Sequence, residues 1–301
     1  MINKNRALLG TIAAIAANTL FGFSNLFSKL TLKFAEPLFV LTSRFAVAFL
    51  ALCLLGLFGV FKLNLKGKNI APLILLGLFQ PFVYMILELY GISLTSSAVS
   101  GVIISLSPIL VLLFSGVFLK EKATVLQFVF SLVSFVGVSI MALHSNNGNQ
   151  NYLLGIILLI FAAAAAAAYN LLNRRIASQF TAFERTFVTF AVSFIGFAVI
   201  TPFAIKESLV QTAVSAFSSG EFIVSLLYLS IGSSISAFLL YNFAVSNISA
   251  VRASSFSNII TIVSLFAGVF ILGEELSLIQ YFGCALIIIG VYAVNRFCKK
   301  I

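Results

Sequence analysis

The 301-residue sequence contains no aspartate and no tryptophan, and its only histidine is His144. The absence of aspartate excludes chemistry that needs an aspartyl nucleophile or paired aspartates. A single histidine excludes zinc sites built from an HExxH motif or a histidine cluster. No GxxxxGK[ST] phosphate loop is present, so ATP hydrolysis by that route is excluded too. We therefore expect a protein that is not an enzyme and that binds no metal or cofactor.

Charged residues are also scarce. They make up 9% of the chain, against about 25% in soluble domains, while 61% of the residues are hydrophobic and the mean hydropathy is +1.15. Roughly twenty apolar residues are enough to cross the hydrocarbon core of a bilayer. Ten runs of about this length are present, at 7–30, 36–58, 70–91, 95–119, 124–143, 152–173, 181–203, 222–243, 248–272 and 277–297. The sequence predicts an all-α integral membrane protein with ten transmembrane helices, the first of which is a span rather than a cleaved signal.

The net charge of +10 follows from the uneven distribution of lysine and arginine. With ten spans, one set of alternate loops and termini holds fourteen of these residues and the opposite set holds three. Lysine and arginine accumulate on the cytoplasmic side of membrane proteins. We expect both termini in the cytoplasm and a multi-pass protein in the cytoplasmic (inner) membrane of a prokaryote. The lipid bilayer explains the charge, so no nucleic-acid partner is needed.

The chain is internally duplicated. The segment LLGTIAAIAANTLFGFSN from Leu8 parallels LLGIILLIFAAAAAAAYN from Leu153, at an offset of 145 residues. The offset later becomes 153, where LKEK faces LGEE and Glu121 faces Glu274. Residues 1–147 and 148–301 are predicted to form two five-helix repeats. Because five is odd, the second repeat must be inverted, as in secondary transporters with a central substrate site between the repeats.

Several motifs resemble the drug/metabolite transporter superfamily, and within it the EamA-type permeases. They are FGFSN in the first span, Arg44 after EPLFVLTS in the second, SAVSGVIISLSP at 97–108, and the KE or GE pair that closes the fourth span of each half. The sequence departs from the family pattern at Phe21, where tryptophan is usual, and at Thr261, which faces Pro108. The resemblance implies a central cavity that opens alternately to each side and the transport of amino acids or similar metabolites.

Polar residues within the spans are the candidate site. A polar group in the hydrocarbon region is costly and usually faces the bundle interior or a cavity. Small and hydroxyl residues also serve as the packing surface between membrane helices, and Asn25 and Asn170 have the alternative role of bridging helices. The predicted substrate-binding residues are Asn18, Asn25, Arg44, Gln80, Tyr84, Glu88, Tyr169, Asn170, Tyr241 and Asn258.

Arg44 and Glu88 carry charge into the spans, and two interpretations remain open. They can pair with each other, with Lys29 nearby, which would offset the cost of burying each charge alone. Alternatively, Arg44 contacts an anionic group of the substrate and Glu88 contacts a cation or exchanges protons, since a carboxylate away from water favours its protonated form. On the cytoplasmic side, Asn173, Arg174, Glu184 and Arg252 are candidates for a gate or for interfacial anchors.

The predicted function is secondary transport of amino acids or similar small metabolites by alternating access, in the direction of export, with protons as a candidate coupling ion. Import of a small organic cation and passive conduction are the alternatives. The predicted partners are a small-molecule substrate and the bilayer, with the protein acting as a monomer or homodimer. Glu121 and Glu274 are interpreted as turn residues that precede a helix, whose dipole favours a carboxylate.

Overall fold

The computed structural model describes residues 4–59, 63–104, 106–107, 109–111, 114, 125–143, 151–205, 209–248 and 256–296. The described residues form eleven helices and no strands. The helices are α1 Lys4–Thr31, α2 Pro37–Leu57, α3 Ala71–Leu94, α4 Ser97–Ile104, α5 Val125–Leu143, α6 Tyr152–Ile176, α7 Ala182–Ala204, α8 Leu209–Phe217, α9 Gly220–Asn247, α10 Asn258–Phe266 with its π-helical extension Ala267–Ile271, and α11 Leu278–Arg296.

The all-helical prediction is confirmed for the described residues. Six helices (α1, α2, α3, α6, α7 and α9) are long and apolar enough to cross a membrane. The other four predicted spans contain α4, α5, α10 and α11, whose described residues do not establish a crossing. The short helix α8 was not predicted and falls in the polar stretch before α9. The boundary between the two predicted repeats, near residue 147, lies outside the described residues.

Two of the long helices are interrupted by π-helical turns. In α3 the turn covers Leu78–Val83, where Pro81 lacks a backbone N–H and Gln80 has non-helical φ and ψ angles. In α9 the π-helical segment covers Tyr228–Ala237. Such turns occur mostly as local bulges and are frequent at functional sites. Hydropathy carries no signal for them, so the sequence predicted two uninterrupted helices.

Helix packing follows the duplication. The first helix of each half packs against the third long helix of the other half, α1 against α9 and α6 against α3. The second helices, α2 and α7, pack against each other, and so do the last helices, α5 and α11. A buried apolar core runs between these contacts, while large apolar side chains cover the outside of the bundle, as expected where the surroundings are lipid.

Glycine allows the close crossings of α6 with α3 and of α1 with α9. A Cβ added at Gly155 of α6 would lie 2.7 Å from Thr95 Cγ2 and 3.2 Å from the carbonyl oxygen of Gly91 in α3. The contact joins the beginning of α6 to the end of α3, so these two helices are antiparallel. Gly10 of α1, at the equivalent repeat position, lies against Ala244 and Asn247 near the end of α9. Close approach through small residues is the usual packing mode of membrane helices.

The GVFILGEE segment ends α10 and turns towards the other half of the chain. Gly273 has a φ of +65°, a left-handed conformation that glycine adopts without steric cost. The next residue, Glu274, accepts hydrogen bonds from the backbone N–H groups of Ser97 at 2.8 Å and Ala98 at 2.9 Å. Glu274 therefore caps the start of α4, a helix of the first half, rather than the helix that follows it. The matching Glu121 lies outside the described residues.

Candidate functional site: a central cavity

A cavity of about 70 Å³ lies where the helices of both halves meet. Its walls come from α1, α3, α6 and α9, together with residues in and beside α4 and α10. The lining residues are Asn18, Phe21, Ser24, Gln80, Tyr84, Met85, Glu88, Ile104, Ser107, Ala166, Tyr169, Asn170, Phe238, Tyr241, Ser257 and Ile260. Asn18, Glu88 and Tyr169 are only 2%, 6% and 1% exposed. The cavity is thus narrow in this conformation.

The structure brings seven of the ten predicted substrate-binding residues to this cavity: Asn18, Gln80, Tyr84, Glu88, Tyr169, Asn170 and Tyr241. Asn25 and Arg44 are buried close by but do not line it. Asn258 is the first residue of α10, next to the lining residue Ser257, but its side chain lies outside the described part of the structure. A substrate role for any of these residues stays a prediction.

Glu88 is the one charged side chain in the described lining, and Tyr84 positions it. The two residues are one turn apart on α3, which places them on the same face of the helix. Tyr84 Oη donates a hydrogen bond of 2.6 Å to Glu88 Oε1. A hydrogen bond to a carboxylate is among the stronger ones in proteins. The second carboxylate oxygen has no recorded bond within the described residues and is free to accept one from a solute.

Arg44 is held away from the cavity by α9. Its Nε donates to Ser234 Oγ at 2.8 Å and its Nη2 donates to Ser233 Oγ at 3.2 Å. The ion pair between Arg44 and Glu88, one of the two interpretations that the sequence left open, is not formed, because the described residues show no N···O contact within 4.0 Å between them. The two charges still interact electrostatically at longer range. The hydroxyl groups of α9 solvate the guanidinium in place of a carboxylate.

The two repeat-related asparagines make different contacts. Asn25 Nδ2 donates to Ser264 Oγ of α10 at 2.7 Å, which matches the bridging role considered for it. Asn170 accepts a hydrogen bond of 2.9 Å from Tyr241 Oη, and both residues line the cavity. The duplication has therefore produced one asparagine that ties helices together and one that belongs to the cavity wall.

The cavity lining follows the offsets of the sequence repeat. An offset of 145 residues relates Phe21 to Ala166 and Ser24 to Tyr169. An offset of 153 relates further lining pairs, namely Met85 and Phe238, Glu88 and Tyr241, Ile104 and Ser257, and Ser107 and Ile260. The two halves thus contribute equivalent positions with different side chains. Glu88 supplies a charge to one wall, while Tyr241 supplies a hydroxyl to the other.

The sequence missed a buried arginine beneath the cavity. Arg185 is fully buried in α7. Its guanidinium donates to the carbonyl oxygen of Asn242 at 2.8 Å, to Ser246 Oγ at 2.7 Å and to the side-chain oxygen of Asn173. The sequence indicates Asn173 as a candidate for a gate but gives no such role to Arg185, which lies near the start of the predicted span 181–203. The Thr181–Glu184 capping box was the available signal, since it begins α7 before Arg185.

Comparison with known proteins decides the family. The model of the EamA-like transporter family matches this chain twice, at residues 8–143 and 153–296. The chain belongs to the EamA-like transporter family. The resemblance predicted from FGFSN, Arg44 and the closing glutamates is therefore confirmed, and these transporters form part of the drug/metabolite transporter superfamily. The two matched segments begin 145 residues apart and end 153 residues apart, as the internal offsets do.

Individual relatives agree with this family. The uncharacterized transporter YcxC of Bacillus subtilis is 32% identical over 99% of this chain and 96% of its own. An uncharacterized transporter of Archaeoglobus fulgidus is 28% identical over 92% of this chain and 95% of its own. A solved crystal structure that is 19% identical superimposes with a TM-score of 0.65, covering 94% of this chain and 95% of the other, and so shares the fold. The protein is a multi-pass membrane protein of a transporter family.

Proposed function

We propose that the protein is a secondary transporter that exports amino acids or similar small metabolites across the cytoplasmic membrane by alternating access. The observation that carries the proposal is the narrow central cavity, which combines Glu88, three carboxamides and five aromatic rings. A mostly apolar pocket with a few convergent polar groups is the usual form of a small-molecule site. An amino group can pair with Glu88, while the carboxamides of Asn18, Gln80 and Asn170 can bond to the remaining polar atoms of a solute.

The architecture that we propose has ten transmembrane helices in two inverted five-helix repeats, with both termini in the cytoplasm. The reciprocal packing of α1 on α9 and of α6 on α3 supports it. The direction of the helices supports it as well. The end of α3 meets the beginning of α6 at Gly155 and the end of α1 at Lys29. The first helices of the two halves consequently run in opposite directions, as inversion requires.

Import of a small organic cation is the second candidate. The negative charge of Glu88, which is the one charged group in the described lining of the cavity, favours a cationic substrate. So do the aromatic rings in the lining, which include Phe21, Tyr169, Phe238 and Tyr241. Aromatic faces attract quaternary ammonium groups. A substrate carboxylate would need Arg44, which in this conformation bonds to Ser233 and Ser234 instead.

A thermal-shift screen of amino acids, amines and nucleosides on the purified protein tests the proposal, followed by uptake of each stabilising compound into proteoliposomes. We expect at least one amino acid or related metabolite to be taken up at a saturable rate that rises when unlabelled substrate is placed on the opposite side. Stabilisation by quaternary amines alone would favour the cation transporter. Flux that does not saturate would indicate a channel and contradict the proposal.

A further inference from the structure

Lys29 ties the end of α1 to the end of α3. It lies in the last turn of α1, five residues beyond the cavity-lining Ser24. Its Nζ donates to the carbonyl oxygen of Ile92 at 3.0 Å and to that of Thr95 at 2.8 Å. The last carbonyl groups of a helix lack partners within the helix and carry partial negative charge, so a cation placed there is favoured. We call this arrangement the Lys29 clamp.

Arg174 makes the equivalent contacts in the second half. It lies in the last turn of α6, four residues beyond the cavity-lining Asn170. Its Nη1 donates to the carbonyl oxygen of Val245 at 2.7 Å and to that of Ile248 at 3.4 Å, at the end of α9. We call this arrangement the Arg174 clamp. It uses the same pattern of one cation and two carbonyl groups three residues apart.

The two clamps are related by the repeat. The cations, Lys29 and Arg174, are separated by the early offset of 145 residues. Their acceptors are separated by the later offset of 153, which takes Ile92 to Val245 and Thr95 to Ile248. Both offsets were found from other residues. The donor and both acceptors therefore occupy equivalent positions in the two halves, although the cation is lysine in one half and arginine in the other. We take this duplication as a sign that the fold requires a cation at this position.

The clamps lie at opposite ends of the cavity. Thr95, an acceptor of the Lys29 clamp, contacts the position of Gly155 near the beginning of α6. Arg174 is near the end of the same helix, 19 residues later, which corresponds to about 28 Å along the axis at 1.5 Å per residue. The cavity-lining residues Ala166, Tyr169 and Asn170 lie between these two points. A second cavity of about 370 Å³ borders Lys29 and is lined mainly by the residues that follow it, up to Pro37.

Each clamp also joins the two helix pairs that enclose the cavity. One pair is α1 with α9 and the other is α3 with α6, since these helices pack closely. The Lys29 clamp connects α1 of the first pair to α3 of the second. The Arg174 clamp connects α6 of the second pair to α9 of the first. Separation of the pairs at either end therefore requires the clamp at that end to break.

We propose that Lys29 and Arg174 are the positioning residues of two alternating gates, and that the transport cycle breaks one clamp while the other stays formed. The inference rests on the proposed alternating-access function. Neither side chain lines the cavity, so neither is assigned a substrate contact. Glu274 reinforces the Lys29 end, because its carboxylate caps α4 and interacts electrostatically with Lys29.

Site-specific labelling of the cavity tests the gates without a known substrate. The background variant has its three cysteines, Cys53, Cys284 and Cys298, replaced by serine and carries Ser24→Cys as the reporter. A membrane-impermeant maleimide is applied to right-side-out and to inside-out membrane vesicles. We expect Lys29→Gln to raise the labelling rate about tenfold from one face only, and Arg174→Gln to do so from the opposite face only, which is the effect of losing one charge-assisted hydrogen bond.

Matched variants control for general loosening of the structure. Lys33→Gln removes an exposed ion pair to Glu221 beside Lys29, and Arg175→Gln removes the exposed neighbour of Arg174. Both should label at the background rate. Lys29→Arg and Arg174→Lys should keep it as well, because each restores a cation of the kind found in the other clamp. Lys29→Met replaces Lys29→Gln if the latter fails to accumulate in membranes.

Unchanged labelling in both clamp variants, or a rise from the same face in both, would overturn the gate proposal. Labelling from both faces in either single variant would also contradict it, because the other clamp should still close its end. The transporter proposal fails separately. If labelling follows the expected pattern while no compound shows saturable uptake, the gates stand and the proposed substrate class is wrong.

Discussion

Tyr84 Oη and Glu88 Oε1 lie 2.6 Å apart on the inner face of α3, and both side chains line the central cavity. The tyrosine occupies one carboxylate oxygen and fixes the rotamer of the glutamate. The other oxygen faces a space enclosed by both halves of the chain. A preorganised carboxylate of this kind binds a solute without first giving up flexible conformations.

Glu88→Gln should raise the half-saturation concentration of a transported amine or amino acid by about tenfold or more, because a charge-assisted hydrogen bond becomes a neutral one. The same variant should abolish any acceleration of transport by an imposed pH gradient, since glutamine cannot exchange protons. Tyr84→Phe should have a smaller effect, as the carboxylate remains. Proteoliposome uptake at several substrate concentrations measures both. A half-saturation concentration and a pH response equal to wild type in Glu88→Gln would exclude the role of Glu88.

Arg185→Ala should lower the free energy of unfolding by about 3 kcal/mol, because it leaves the buried side-chain oxygen of Asn173 without its donor and removes the hydrogen bonds to Asn242 and Ser246. Arg175→Ala is the control, since the side chain of Arg175 is exposed and exposed substitutions usually change stability by less than about 0.5 kcal/mol. Thermal unfolding of both variants in detergent gives the comparison. Equal midpoints would show that the network does not stabilise the fold.

Gly155→Ala should destabilise the protein by about 1–3 kcal/mol, because the added methyl group collides with the end of α3 at Thr95 and Gly91. Gly220→Ala provides the contrast. A Cβ at that helical position meets nothing within 4 Å, so the substitution should be neutral or slightly stabilising. Thermal unfolding of the two variants in detergent measures the difference. An unfolding midpoint of Gly155→Ala equal to that of wild type would contradict the close crossing of α3 and α6.

Glu274→Ala should cost about 1 kcal/mol, because the N–H groups of Ser97 and Ala98 at the start of α4 lose their acceptor. The adjacent Glu275 is exposed, and Glu275→Ala should leave the unfolding midpoint within experimental error of wild type. If both substitutions have the same effect, the GEE segment acts only as a turn and not as a cap.

Much of the fold followed from the sequence because hydropathy, charge and repetition are properties of the chain itself. The all-helical membrane class came from long apolar runs, and the family came from motifs such as FGFSN together with the KE and GE pairs that close the fourth span of each half. The π-helical turns in α3 and α9 did not, because they depend on local geometry around residues such as Gln80. Glu274 was expected to act on the helix after it, since a contact with α4 across the two halves has no local sequence signal.

The sequence predicted those site residues whose position depends only on the polarity of the side chain. Asn18, Glu88 and Tyr241 reach the cavity because a polar group inside a span turns away from lipid. Polarity does not show which interior surface a residue contacts. The sequence therefore left open whether Arg44 pairs with Glu88, and in the structure Arg44 bonds to hydroxyl groups of α9. Apolar lining residues such as Phe238 gave no signal, although the repeat pairs Phe238 with Met85.

The central claim is that a substrate passes through the cavity, and counterflow in proteoliposomes tests it most directly. Ala166 lines the cavity, whereas Ala164 in the same alanine run is half-buried and does not. With the substrate found by the thermal-shift screen, wild type and Ala164→Leu should show trans-stimulated, saturable uptake. Ala166→Leu fills the cavity and should reduce the rate about tenfold, which corresponds to about 1.4 kcal/mol. Equal rates in the two leucine variants would contradict transport through this cavity.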